Sequence, residues 1–450
     1  MDSEVVGVPD GQETLKAPDV ETILDGSTTV VPSDSLEYPR RTSHPSDPLN
    51  WPRWKKLAVL IHVSAFYFLF TFLTTVTVPT FASLQTIFNA TYAQINYTVA
   101  VPALALGLSP FMWSPLADIY GRRTVMIIGC FVALISTIGS AVTKTYSGYM
   151  AARFFQGWGV GPASSVGLQM LQDIYFEHER GQKVGIWTLA IDTGLLFGPL
   201  IGGFAALVST EFVAWLTAIF FGVLLLSMVV CLPETAFPRR EVLENSGPKK
   251  DLDAPAPSIV PSPPFINVLP IQGLRHPKPW DTIVRFIRMF AYPNVAISIM
   301  FYCWTWYWFI LCVITMIPAA YPTYSPQHQG LLFLGLIIGT IIAEAFFSGT
   351  LSDRLVAYIS RTRNTPRSPE MRLWLFWPAA FLTALGLVLF GVAIQYNWHW
   401  AVAQVAMAIF GFGVQVGNTT TMAYAVDCHP DHAMDVTHYL GGHGVSDFRP

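Results

Sequence analysis

Charge is what this chain has least of. Only 12% of its 450 residues are Asp, Glu, Lys or Arg, about half the ~25% of an ordinary soluble domain. That scarcity excludes a soluble globular fold. Instead 52% of the residues are hydrophobic, and apolar runs near the ~20 residues that cross a bilayer recur along the chain. Cysteine is sparse too. The five (Cys130, Cys231, Cys303, Cys312, Cys428) lie in or beside predicted spans, which argues against a disulfide framework or a zinc site and reads them as small apolar packing residues. No Walker sequence, zincin helix or nucleophile elbow is present. Gly157-Trp-Gly159-Val-Gly161 has the glycine spacing of a dinucleotide fingerprint. It lies inside an apolar span with no strand before it, so the required context is missing. No enzymatic activity, cofactor, metal site or nucleic-acid partner is expected. The opening residues lack a charged run followed by a short apolar core, so no cleavable signal peptide is expected either.

What remains is an all-α, polytopic membrane protein. Ten spans are predicted, near 57–80, 97–116, 124–142, 149–171, 184–207, 213–232, 296–320, 329–350, 373–394 and 399–424. Of the 26 Lys and Arg, only Lys144 falls in a loop on the outer side and only Arg153 inside a span. By the positive-inside rule, the N-terminus is then cytoplasmic. Residues 1–48 are polar and aperiodic and read as a disordered tail. Residues 49–232 hold six spans. Residues 233–295 form a Pro-rich cytoplasmic connection, ending in an interfacial helix in which Ile283, Ile287 and Phe290 share a face. Residues 296–426 hold four spans, and 427–450 are a polar tail. Its histidines (His429, His432, His438, His443) fit no standard metal spacing. Two sequons, Asn89 and Asn96, fall in the first outer loop and are glycosylation candidates.

Two neighbouring spans carry small residues one helical turn apart: Gly157, Gly161 and Ser165 in one, Gly194, Gly198 and Gly202 in the next. Such stripes let helix backbones approach closely, and Pro199 allows a bend. The charged run Asp173 to Lys183 between them reads as a loop outside lipid. Ionisable groups inside spans are expensive and point to function. Three stand out: Arg153, Asp192 and Glu344. Arg153 is either a packing brace or a proton-transfer group. Asp192, two residues before Gly194, falls nearly opposite the glycine stripe, so it faces a wet cavity or a partner. Its alternatives are a proton or cation site and a structural hydrogen bond. Glu344 either snorkels towards the cytoplasm or lines the same cavity. Together the two acids would attract a cation. Span seven is dense in aromatics; Tyr302, Trp306 and Phe309 share a face and either wall a substrate cavity or serve packing and anchoring.

Several motifs resemble those of the major facilitator superfamily. Arg153-x-x-Gln-Gly157 resembles its fourth-helix motif. Gly194-x-x-x-Gly198-Pro199-x-x-Gly202-Gly203 resembles the fifth-helix motif of proton-coupled antiporters. Ser114-Pro-Leu-Ala-Asp118-Ile-Tyr-Gly121-Arg122-Arg123 resembles the loop signature, with Ser114 for a usual Gly and Ile119 for a usual basic residue. Gly349-Thr-Leu-Ser-Asp353-Arg354 reads as a second copy without the Gly-Arg-Arg end, as a duplicated six-helix unit predicts. The lead-in Ser46 to Lys56 resembles that of the fungal drug:proton antiporters, including their polyamine-exporter-like branch. The resemblance implies alternating access driven by protons, with export of a small drug-like or cationic molecule. It also implies a conformational latch at Asp118, Gly121, Arg122, Arg123, Asp353 and Arg354, joined by Asp173, Glu179 and Arg180. The expected partners are a small-molecule substrate, protons and the bilayer, with the chain a monomer in the plasma membrane or, alternatively, the vacuolar membrane. The superfamily has twelve spans, so a ten-span chain reads as truncated, with an aberrant tail. A transport-inactive or sensor-like protein is the competing expectation.

Overall fold

The computed structural model describes residues 46–237, 311–344, 350–363 and 369–427, with scattered positions between 284 and 304. Among these the chain is all-helical. The N-terminal part comprises α1 (Arg53–Thr75), α2 (Phe81–Phe88), α3 (Tyr92–Leu108), α4 (Pro110–Tyr120), α5 (Arg122–Val142), α6 (Tyr146–Ser164), α7 (Val166–Ile174), α8 (Glu177–Ala205) and α9 (Thr210–Cys231). The C-terminal part comprises α10 (Leu311–Ala320), α11 (Pro326–Leu331), α12 (Leu334–Ile342), α13 (Thr350–Arg363), α14 (Phe376–Gln395) and α15 (Trp400–Asp427). Six of the described helical segments are long and apolar enough to cross a membrane, or seven if α3 and α4, bent by 42°, count as one span.

Local chemistry sets the helix ends. Thr91 and Gln94 form a reciprocal capping box at the start of α3, which satisfies two otherwise orphaned N–H groups. Thr145 caps α6 and Ser209 caps α9 in the simpler one-way manner. Between α4 and α5 the chain turns at Gly121, whose φ of 96° suits a residue without a Cβ.

The structure corrects several boundaries. The first predicted span, 57–80, falls within the apolar segment Arg53–Phe88, whose first helix ends at Thr75. The fourth is not continuous over 149–171. It breaks at Ser165 between α6 and α7, three residues after Pro162, which lacks a backbone donor. The charged run 173–183 is mostly helical rather than a loop. Only Tyr175 and Phe176 separate α7 from α8, and both are buried, which anchors a tight joint. In the second half, Asp353 lies in the helix described from Thr350 to Arg363, α13. Residues 1–45, most of the 233–295 connection with its interfacial helix, and the tail beyond Asp427 lie outside the described residues.

The N-terminal helices pair as α1 with α8, α3 with α6, α5 with α6 and α5 with α9. The C-terminal helices repeat part of this scheme, α12 with α15 and α14 with α15. Glycines set the close pairs. A Cβ at Gly194, Gly198 or Gly202 would collide with α1 at Phe68, Thr71, Thr75 or Val76. Gly157 abuts the Pro102 carbonyl, and Gly339 the Ala408 carbonyl, in the same way. Thr75 Oγ1 donates to the Leu195 carbonyl at 2.8 Å across the α1–α8 pair.

The two parts meet at the helix ends away from Arg53. There α8 packs on α11, with a Cβ at Gly330 only 2.8 Å from the Pro199 carbonyl. The Tyr92 hydroxyl donates to the Thr315 carbonyl at 2.6 Å. One apolar cluster runs through both parts, including Phe81 and Leu196 from the first and Ile317, Phe333 and Leu336 from the second. This end is closed by contact between the two bundles.

Candidate functional site

Asp192 lies seven residues into the apolar stretch Gly185–Ala205, roughly 10 Å along the axis. The glycine stripe of α8 is taken up by α1, so Asp192 is turned the other way. It meets Gln415 of α15. The Gln415 side-chain nitrogen donates to Asp192 Oδ2 at 3.1 Å and to Glu344 Oε2 at 3.0 Å. Glu344 sits on the turn after α12 and accepts a further bond from the Thr419 hydroxyl at 3.3 Å. Two carboxylates, one from each bundle, therefore converge on one amide nitrogen, within about 6 Å of each other. Asp192 and Gln415 are buried, at 1% and 4% exposure. Asp192 Oδ1 has no hydrogen-bond partner among the described residues.

Arg153 is also buried but works within the first bundle. Its guanidinium donates to the Leu73 carbonyl at 3.0 Å, Thr77 Oγ1 at 2.5 Å and Gln156 Oε1 at 3.3 Å. Gln156 in turn donates to Ser140 Oγ at 3.0 Å and Thr137 Oγ1 at 3.3 Å. The Arg-Gln pair thus ties α6 to α1 and α5. The Tyr149 ring lies 5.6 Å from the guanidinium carbon. These are the contacts a packing brace requires.

A third cluster stands at the Arg53 end. Glu234, just past α9, accepts the backbone N–H groups of Arg122 and Arg123 at 3.0 Å each, and that of Ala236 at 2.9 Å. A carboxylate on the first N–H groups of α5 satisfies orphan donors and complements the helix dipole. Arg122 pairs with Asp173 and donates to the Gln169 carbonyl at 3.2 Å. Arg123 donates to the Val229 carbonyl at 2.7 Å. The loop residues are thereby fastened to α7 and α9. Asp118 is half-buried near the same turn. Arg354 is exposed on α13. The side chains of Asp353, Glu179 and Arg180 lie outside the described residues.

The proposed aromatic wall of Tyr302, Trp306 and Phe309 also lies outside them. Asn89 is exposed in a left-handed turn at the end of α2, whereas Asn96 is half-buried in the second turn of α3. Among the described residues no three His, Cys, Asp or Glu side chains gather as metal ligands.

The profile of the Major Facilitator Superfamily matches residues 63–438. The chain belongs to that superfamily. Among curated relatives, "Protein HOL1" of Saccharomyces cerevisiae is 24% identical, over 88% of this chain and 80% of its own length. "MFS transporter cpaT" of Aspergillus oryzae is 26% identical, over 94% and 84%. "Probable efflux pump mfs2" of Aspergillus flavus is 26% identical, over 76% and 81%. Among solved structures, the xylose transporter XylE of E. coli, in a partially occluded inward-open conformation, has a TM-score of 0.58 at 16% identity. It covers 86% of this chain and 90% of that one, and shows the shared fold. The protein is accordingly a multi-pass membrane transporter of the Major Facilitator Superfamily.

Within that setting, sequence reasoning missed Gln415, Thr419 and Glu234. The first two stand in a polar run, Gln415 to Thr421, within the apolar α15. That run was a readable signal of a polar contact face. Glu234 follows Pro233 directly after a span, but its partner at the start of α5 is more than 100 residues away.

Proposed function

We propose that this transporter exchanges protons for a small organic cation, moving it out of the cytoplasm by alternating access. The observation that carries the reading is the meeting of Asp192 and Glu344, from opposite bundles, at one buried neutral amide. Gln415 offers hydrogen bonds but no charge. Two carboxylates this close, one buried and one half-buried, would repel strongly with both ionised. The pair therefore holds either a proton or a cation, and exchange of one for the other is charge-balanced. Because the two acids sit on different bundles, the occupant is bound by whichever arrangement brings the bundles together around it. The closed contact at the Gly203–Gly330 end is one such arrangement. The Arg122–Asp173 and Glu234 contacts act as the latch at the other end. By the placement of Lys and Arg, the N-terminus and the latch face the cytoplasm, and the plasma membrane is the proposed location.

Vesicles containing the purified chain test this. With an inside-acid gradient, a panel of radiolabelled organic cations should include at least one that accumulates beyond the protein-free blank. Collapse of the gradient should stop that accumulation. Uphill movement that persists without the gradient contradicts antiport.

A further inference from the structure

Gln415 occupies the place that a cargo amine would need. A primary amide presents two N–H donors from one nitrogen. Both are spent here, on Asp192 Oδ2 at 3.1 Å and Glu344 Oε2 at 3.0 Å. The bridge is incomplete in two respects. Asp192 Oδ1 is left without a partner among the described residues, and the amide itself carries no charge. One turn further on, Asn418 is 4% exposed, and neither of its side-chain polar atoms has a partner among the described residues. Gln415 and Thr419 show that this side of α15 is turned to Glu344. Asn418, three residues after Gln415, falls on the same side. Buried polar groups left unpaired are costly. Two of them beside a bridging amide leave hydrogen-bonding capacity that a polar ligand fills.

We infer that Gln415 is an internal stand-in for the cargo. An organic ammonium with at least two N–H donors takes the place of its amide between Asp192 and Glu344. The inference rests on the cation-exchange reading above and sharpens it. A protonated primary or secondary amine reproduces both donor contacts and brings a positive charge in place of the proton's. The proton held by the pair leaves to solvent as the ammonium arrives. A quaternary ammonium presents only alkyl groups to the two oxygens and cannot replace the amide. Gln415 is thus a specificity-determining residue. It competes with cargo, and it rejects cations that do not offer more than it offers itself.

The test uses the full chain purified in detergent at neutral pH, with binding of benzylammonium and benzyltrimethylammonium followed by calorimetry. Removing the internal competitor in Gln415→Ala should tighten benzylammonium binding about five- to tenfold, because the site is then open in every molecule. Gln415→Asn, one methylene shorter, cannot span both acids and should shift binding in the same direction. Benzyltrimethylammonium should bind about tenfold more weakly than benzylammonium, or worse, for lack of N–H donors. Unchanged or weaker benzylammonium binding in both variants overturns the stand-in role, as does equal affinity for the quaternary ion or no binding of either by any form. Asp192→Asn separates the two levels of the argument. If it abolishes binding while the Gln415 variants show no gain, the cation site stands and the stand-in falls. If binding survives undiminished in Asp192→Asn, the cation site itself falls.

Discussion

Replacing Arg153 by Met should destabilise the protein without removing the coupling site. The side chain is 1% exposed and makes three hydrogen bonds, to Leu73, Thr77 and Gln156. Bonds from a charged donor are each worth roughly 1.5–3 kcal/mol in a soluble protein. Within membranes, measured side-chain bonds average nearer 0.6 kcal/mol. Three bonds at an intermediate value give a loss of about 3 kcal/mol, partly offset because Met fills the volume and sheds a buried charge. For a chain of 450 residues, that corresponds to a fall in melting temperature of about 3 °C in detergent. Arg153→Lys should fall in between, since one ammonium keeps the charge but cannot span the three acceptors. The assay is thermal unfolding of the detergent-purified chain, followed by gradient-driven uptake on protein that remains folded. A brace predicts reduced stability in Met, less in Lys, and coupled uptake in the folded fraction of both. Melting of the Met variant within 1 °C of the parent, with uptake lost, refutes the brace and returns Arg153 to proton transfer.

Other outcomes follow from the same contacts. Gly202→Val places side-chain atoms against the Val76 carbonyl and should separate α8 from α1, seen as aggregation in mild detergent; normal yield and melting would contradict the packing. Gly330→Val should force apart the bundles at the closed end, where a Cβ already lies 2.8 Å from the Pro199 carbonyl and 3.2 Å from that of Leu200. A cysteine introduced beside Gly203 should then label faster from the outer side, and transport should stop. Glu234→Ala uncaps α5 and should lower stability by about 1–2 kcal/mol, while Glu234→Gln, with one oxygen kept, should lose less; equal loss in both would show that the acceptor geometry is irrelevant.

Much of this arrangement was legible in the sequence because it depends on short-range periodicity. Gly194, Gly198 and Gly202 recur once per turn, so one face had to pack closely and Asp192 had to look away from it. The structure seats that face on Phe68 to Val76 and turns Asp192 to Gln415. Glu344 was legible as an acid in an apolar run. Gln415 was harder to see, because a neutral amide in an apolar helix carries no charge signal and its meaning comes from two acids 71 and 223 residues away. Glu234 was obscured in the same way, since a helix cap supplied from a distant segment leaves no local pattern. The break at Ser165 and the helical start of α8 at Glu177 were misread because hydropathy averages over such joints. Pro162 and the buried pair Tyr175–Phe176 decide them locally.

The central claim is that the acid pair Asp192 and Glu344 holds a proton and a cation in turn. The most direct measurement is proton release from the purified chain, in weakly buffered solution with a pH-sensitive dye, as benzylammonium is added. Competition at a shared site predicts protons appearing in proportion to bound amine, with no release from Asp192→Asn. Proton uptake on binding, or binding with no change in pH, would contradict it.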